Sequence, residues 1–172
     1  IFVSKGLLKT ASNEDELAAV LAHELAHIEQ RHPVKTIRQS LGTNFLVTLG
    51  TEAARQSGNR DAKKLVEGHG KMVGALAQTL SEKGYSRESE FEADLKALGI
   101  LKRAGYDPAA MISILKKMQK KYRPGGLGFN KTHPSPSARI AKLRPKVTDA
   151  APKPAPQARR SRFEQAMAGI RG

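Results

Sequence analysis

Apolar positions recur at helical spacing along most of the chain, and this periodicity predicts a mainly α protein. Helices are predicted from a Ser12 cap to about Arg31, over 61–80, from Arg87 (cap Ser86, stop Gly105) to about Ala104, from Asp107-Pro108 to near Tyr122, from Ser135-Pro136 to about Leu143, and over Arg162–Ile170. The opening run Ile1-Phe2-Val3 predicts a short strand within residues 1–8. Residues 34–56 are mixed, with a turn at 58–59 and a glycine-rich loop at 124–128.

Composition narrows the class of protein without identifying it. The chain has 172 residues, no cysteine and only 5% aromatic residues. This composition fits one helix-rich domain and excludes disulfides, thiolate metal sites and cysteine nucleophiles. No apolar run is long enough to span a membrane as a helix. Because the sequence lacks an initiator Met, we expect a fragment whose upstream part, with any export signal, is missing.

The positive charge is concentrated at the end of the chain. The net charge is +14, and residues 142–172 hold eight basic and two acidic groups. We therefore predict a domain over 1–144 and a basic, Pro/Ala-rich tail over 145–172 that includes a short terminal helix. The tail could bind an anionic lipid surface or nucleic acid, or be a solvated extension. The absence of interleaved aromatic residues argues against nucleic acid.

The first predicted helix carries the motif His23-Glu24-Leu25-Ala26-His27. Apart from His23, Glu24 and His27, all residues from Leu17 to Ile28 are Leu, Ala, Val or Ile, so this helix is predicted to be buried. Two imidazoles and a carboxylate are costly there without partners. Histidines four residues apart lie on one helical face and can bind one zinc, with Glu24 close enough to take a proton from water. The alternative is a pair of hydrogen-bonded core histidines.

A catalytic zinc needs a third protein ligand. His32, His69 and His133 are candidates, but we expect His32 and His69 on the surface. Glu90 and Asp94 are stronger candidates. They share one helical face, where their like charges repel, and a cation beside Glu90 and an imidazole N–H beside Asp94 would remove that repulsion. Glu90 would bind the metal, and Asp94 would accept a hydrogen bond from a zinc-bound histidine. The spacing fits equally well an acidic helix start that faces water.

The order of motifs resembles a known enzyme family. The stretches that carry the resemblance are, in order, His23–His27, Ser86-Arg87-Glu88-Ser89-Glu90-Phe91-Glu92-Ala93-Asp94 and Thr132–Arg139. Together they resemble the zinc metallopeptidase family of HtpX, BepA and the CAAX prenyl endopeptidases, in its soluble BepA-like branch. The resemblance covers about residues 1–144 and implies an α+β zincin-like fold with further strands before residue 1.

The resemblance also implies residue roles. His23, His27 and Glu90 would bind one zinc per chain, Glu24 would be the general base, and Asp94 would support a ligand. His133 and Arg139 fall on active-site positions of the BepA-like members. The implied activity is zinc-dependent endoproteolysis of unfolded or misassembled polypeptides.

The implied location is the bacterial periplasm or cell envelope, with the protein soluble or in peripheral contact with a membrane or with envelope assembly machinery. A zinc-binding chaperone or scaffold with a latent protease site is the first alternative. A polyanion-binding module driven by the tail is the second.

His133 has a further predicted role. It follows the glycine-rich loop and precedes Pro134, which restricts its backbone to extended conformations. We predict that this arm brings the imidazole to the open position of the zinc in a resting state. A fixed transition-state donor beside Arg139 is the alternative.

Overall fold

Helices account for most of the residues that the computed structural model describes, namely 1, 3–36, 84–121, 133–147 and 155–171. The bounds are α1 Lys5–Leu8, α2 Glu14–Glu29, α3 Arg87–Arg103, α4 Ala109–Lys121, α5 Pro136–Leu143, a 3-10 turn Arg144–Lys146, and α6 Gln157–Arg171. The predicted mainly α fold is confirmed. The β part of the α+β expectation has no counterpart within these ranges.

The predicted strand within residues 1–8 is wrong, because residues 5–8 are helical. Ser4 caps this turn, and its Oγ accepts a hydrogen bond from Leu7 N at 3.2 Å. The predicted helix over 61–80 and the loops at 58–59 and 124–128 lie outside the described residues. None of the helices within the described ranges is both long and apolar enough to cross a membrane.

Local hydrogen bonds set the ends of the two central helices. Asn13, not the predicted Ser12, caps α2, because its Oδ1 accepts from Glu16 N at 2.9 Å. The helix ends at Glu29, before the predicted Arg31, which adopts a left-handed φ of 54°. Ser86 and Gly105 bound α3 as predicted, and Gly105 has the positive φ of 76° that this helix stop requires.

Small side chains bring α2 and α3 together. Ala19 and Ala26 of α2 and Ala93 and Ala97 of α3 are all fully buried. Alanines let two helix backbones approach closely, so the polar residues between them face each other directly. The prediction that α2 is buried all round is wrong on its outer side, where Leu25 and Ile28 are 47% and 58% exposed.

The remaining helices close the core around this pair. Helix α4 packs on α2, and α5 packs on both α4 and α3. Helix α6 is longer than predicted and places Phe163 and Met167 in the core. Arg159 of α6 pairs with Asp15 at the start of α2, Nη1 to Oδ1, at 2.9 Å. The end of the chain is thereby fastened to the helix that carries His23-Glu24-Leu25-Ala26-His27.

Candidate metal centre

Three predicted ligands converge between α2 and α3. His23 Nε2 and His27 Nε2 lie 3.1 Å apart. Each nitrogen also lies close to the Glu90 carboxylate, at 3.5 Å from Oε2 and 3.4 Å from Oε1 respectively. All three side chains are almost completely buried. The α-helical spacing of the motif therefore presents both imidazoles to one carboxylate, as the sequence predicted.

This arrangement fits a zinc ion. In a tetrahedral zinc site with bonds near 2.0–2.1 Å, ligand atoms lie about 3.3 Å from one another. The distance between the two imidazole nitrogens, and the distance from each nitrogen to a different Glu90 oxygen, lie within a few tenths of an ångström of that spacing. Glu90 Oε1 is buried and receives no hydrogen bond from the described residues. A buried carboxylate oxygen without a hydrogen-bond partner is costly, and a bound cation would remove that cost.

The protonation states of Glu90 and His27 suit metal binding. Burial and the charge of Arg139 lower the pKa of His23, but its contacts with Asp94 and Glu90 outweigh them, so the pKa of His23 is raised in the metal-free protein. Burial raises the pKa of Glu90, but its contacts with His133, His23 and His27 outweigh burial, so the pKa lies far below its usual range and the carboxyl is ionised. Burial lowers the pKa of His27 despite its contact with Glu90, which favours the neutral imidazole. An ionised carboxylate and a neutral imidazole are the forms that coordinate a metal.

Asp94 is buried behind His23. Its Oδ1 lies 3.0 Å from His23 Nδ1, on the side of the ring away from the other ligands. Arg139 of α5 holds the same carboxylate with two donors, Nε to Oδ2 at 2.8 Å and Nη2 to Oδ1 at 2.6 Å. Burial raises the pKa of Asp94, but the hydrogen bond from Arg139 outweighs it, so the pKa is lowered.

Arg139 is therefore a buried part of the support for His23. Its side chain is only 2% exposed, and Nη1 comes within 4.0 Å of Glu90 Oε2. Burial lowers the pKa of Arg139, but the hydrogen bond to Asp94 outweighs burial. The net pKa is raised, so the guanidinium keeps its charge. A bidentate pair of this kind fixes the carboxylate in one orientation.

His32 is not on the surface, and that prediction is wrong. Its side chain is fully buried, and its Nδ1 lies 2.9 Å from His27 Nδ1. A continued helix would point residue 32 well away from residue 27. The left-handed Arg31 ends α2 and turns the chain back, so that His32 reaches His27. His69 lies outside the described residues.

Sequence reasoning also missed Tyr85. Its ring stacks on His27 with centroids 4.1 Å apart and an interplanar angle of 21°. Burial raises the pKa of Tyr85, and the nearby carboxylates of Glu24 and Glu90 add to the effect. No local pattern in the sequence indicates this contact, because Tyr85 and His27 lie far apart along the chain.

The two other predicted catalytic residues lie beside the converging ligands. Glu24 is half-buried on α2, directly after His23. His133 Nδ1 lies 2.7 Å from Glu90 Oε2, and its ring centroid is 5.5 Å from that of His23. One ligand atom from each of His23, His27, Glu90 and His133 falls within 4.8 Å of the other three. The arm before α5 thus brings a fourth donor to the group.

Comparisons with known proteins identify a family for this chain. Residues 1–147 match the profile described as Peptidase family M48. The chain is 29% identical over 163 residues to the beta-barrel assembly-enhancing protease of Yersinia pestis, covering 90% of this chain and 32% of that protein. It is 33% identical over 145 residues to a mitochondrial metalloendopeptidase of Schizosaccharomyces pombe, covering 83% and 40%. The metalloprotease LoiP of Escherichia coli is 25% identical over 148 residues, covering 86% and 55%.

The chain spans about a third of the length of the beta-barrel assembly-enhancing proteases that it matches. The match runs through α2 and α3, which carry His23, His27 and Glu90, through His133, and through α5, which carries Arg139.

Arg139→Met is expected to destabilise the metal-stripped protein by about 3 kcal/mol, because it leaves the buried Asp94 carboxylate without its cation. The matched control is Arg162→Met, which removes an exposed partner of Glu14 and should destabilise the protein far less. Urea unfolding of both variants measures the difference. Equal losses in the two variants would contradict a structural role for the Arg139–Asp94 pair.

Proposed function

Because the chain belongs to peptidase family M48, we propose that it is a zinc-dependent endopeptidase. The observation that carries this proposal is the convergence of two imidazole nitrogens and an ionised, buried carboxylate between α2 and α3. His23, His27 and Glu90 would hold one zinc per chain. Asp94 would orient His23 through its Nδ1.

The chemistry divides between the metal and the chain. Bound zinc supplies a Lewis acid that makes water more acidic and polarises the scissile carbonyl. Glu24 takes the proton from the attacking water onto its carboxylate and passes it to the leaving nitrogen, because it directly follows a ligand and is itself only half-buried. Arg139 acts as a positioning residue, since two of its donors are committed to Asp94.

The substrates we propose are unfolded or misassembled polypeptides of the cell envelope. The beta-barrel assembly-enhancing proteases among its relatives support this class. We propose a periplasmic or envelope location on the same basis, with peripheral contact to envelope assembly machinery.

Glu24→Gln is expected to abolish cleavage of casein while zinc content is unchanged, because the amide cannot accept the proton and Glu24 is not a ligand. Glu29→Gln is the matched control, because Glu29 lies on the same helix and its side chain is 49% exposed. This variant should cleave casein at the normal rate. Digestion and metal content are measured on one sample of each variant.

Retained cleavage in Glu24→Gln, or loss of zinc from the folded variant, would contradict the role of Glu24 as the base. The chaperone alternative makes a different prediction. Suppression of aggregation without any cleavage by the unaltered, zinc-loaded protein would favour a scaffold with a latent site.

We further propose that His133 blocks the centre in a resting state. Its Nδ1 already lies 2.7 Å from a ligand oxygen of Glu90, and its side chain is only 11% exposed. Three protein ligands leave one position for water, and a neutral imidazole can fill it. Substrate would have to displace the arm that carries His133.

His133→Ala is therefore expected to raise the rate of casein cleavage, with zinc retained, because the open position becomes accessible. Ser137→Ala, an exposed change on the first turn of α5, is the control. A lower kcat with zinc retained would contradict the block and assign His133 to transition-state stabilisation instead.

A further inference from the structure

We propose that His32 and Glu92 form a relay that positions His27, the second histidine of the centre. This inference rests on the proposed function in that it takes His27 as a zinc ligand. The relay consists of two contacts in series, from His27 Nδ1 to His32 Nδ1 at 2.9 Å and from His32 Nε2 to Glu92 Oε2 at 3.1 Å.

The backbone is built to make the first contact. Arg31 takes the left-handed conformation, with a φ of 54°, and Pro33 follows at the start of the next helical segment. Between them, His32 is turned back under α2 and has no exposed surface. A left-handed non-glycine residue costs free energy, so a compensating contact is expected at such a turn.

The second contact fixes the direction of the hydrogen bonds. A carboxylate only accepts, so His32 Nε2 must carry the proton that it donates to Glu92. In the neutral ring, His32 Nδ1 is then an acceptor, and the proton between the two rings belongs to His27 Nδ1. This tautomer leaves the lone pair of His27 Nε2 directed at Glu90 and His23, where the metal would lie.

His32 itself is not placed to bind the metal. Its Nδ1 faces the far nitrogen of His27, and its other nitrogen is taken by Glu92. Tyr85 stacks on one face of the His27 ring, at a centroid distance of 4.1 Å. His27 is therefore held both in its plane and from one face.

The two histidines of the centre are supported differently. His23 meets the buried Asp94 directly, whereas His27 reaches a carboxylate only through His32. Glu92 is 57% exposed and also lies 3.5 Å from Lys35 Nζ. The relay thus joins a buried ligand to a carboxylate at the protein surface.

The test compares His32→Leu with His32→Gln by chelator competition for zinc. Leucine cannot accept from His27, so the zinc Kd should rise about 10–100-fold. Glutamine offers an acceptor oxygen to His27 and a donor amide to Glu92, and it should recover most of the affinity. Glu92→Ala, a surface change that leaves the core intact, should weaken binding less than His32→Leu. Its control is Glu88→Ala, an exposed carboxylate on the same helix, which should bind zinc normally.

A second readout does not depend on zinc. In ¹⁵N-histidine NMR of the metal-free protein, a slowly exchanging proton on His27 Nδ1 is expected in the unaltered protein and in His32→Gln, and its loss is expected in His32→Leu. Failure of the unaltered protein to bind zinc would refute the proposed function, whereas this resonance still tests the relay. Unchanged affinity in His32→Leu, equal losses in the Leu and Gln variants, or a proton on His27 Nε2 would overturn the relay.

Discussion

The buried carboxylate of Glu90 is the charge around which the centre is organised. It lies between two helices with no exposed surface, and a lone carboxylate in such a place is strongly disfavoured. His23, His27 and His133 each direct a ring nitrogen toward it, and together they keep its pKa far below the ordinary range. Glu90 Oε1 receives no hydrogen bond from the described residues, and this observation supports the proposed cation.

The fold can be understood as the means of bringing that charge and its partners together. Alanines at the α2–α3 contact allow the close approach that places His23 and His27 of one helix within reach of Glu90 of the other. Helix α5 then supplies Arg139, whose two hydrogen bonds hold Asp94 behind His23. Helix α6 lies beyond the region matched by the family profile, yet it buries Phe163 and pairs with the first turn of α2.

The parts of this arrangement that follow from local spacing were predictable. Helical periodicity gave α3 and α5 nearly to the residue, and the i, i+4 spacing placed His23 with His27 and Glu90 with Asp94 on shared helical faces. Contacts that depend on a reversal of the chain were not predictable. His32 was expected on the surface because it lies just past the helix that carries His27, and the left-handed Arg31 instead turns it back to His27. The pairing of Arg139 with Asp94 spans 45 residues, and no local pattern encodes it.

The account depends on one ion at one place. The most direct measurement is a crystal structure of the zinc-loaded protein with an anomalous difference map at the zinc edge. The account predicts a single strong peak per chain, about 2.0–2.2 Å from His23 Nε2, His27 Nε2 and a Glu90 oxygen. The absence of a peak between α2 and α3, or a peak bound by other residues, would contradict it.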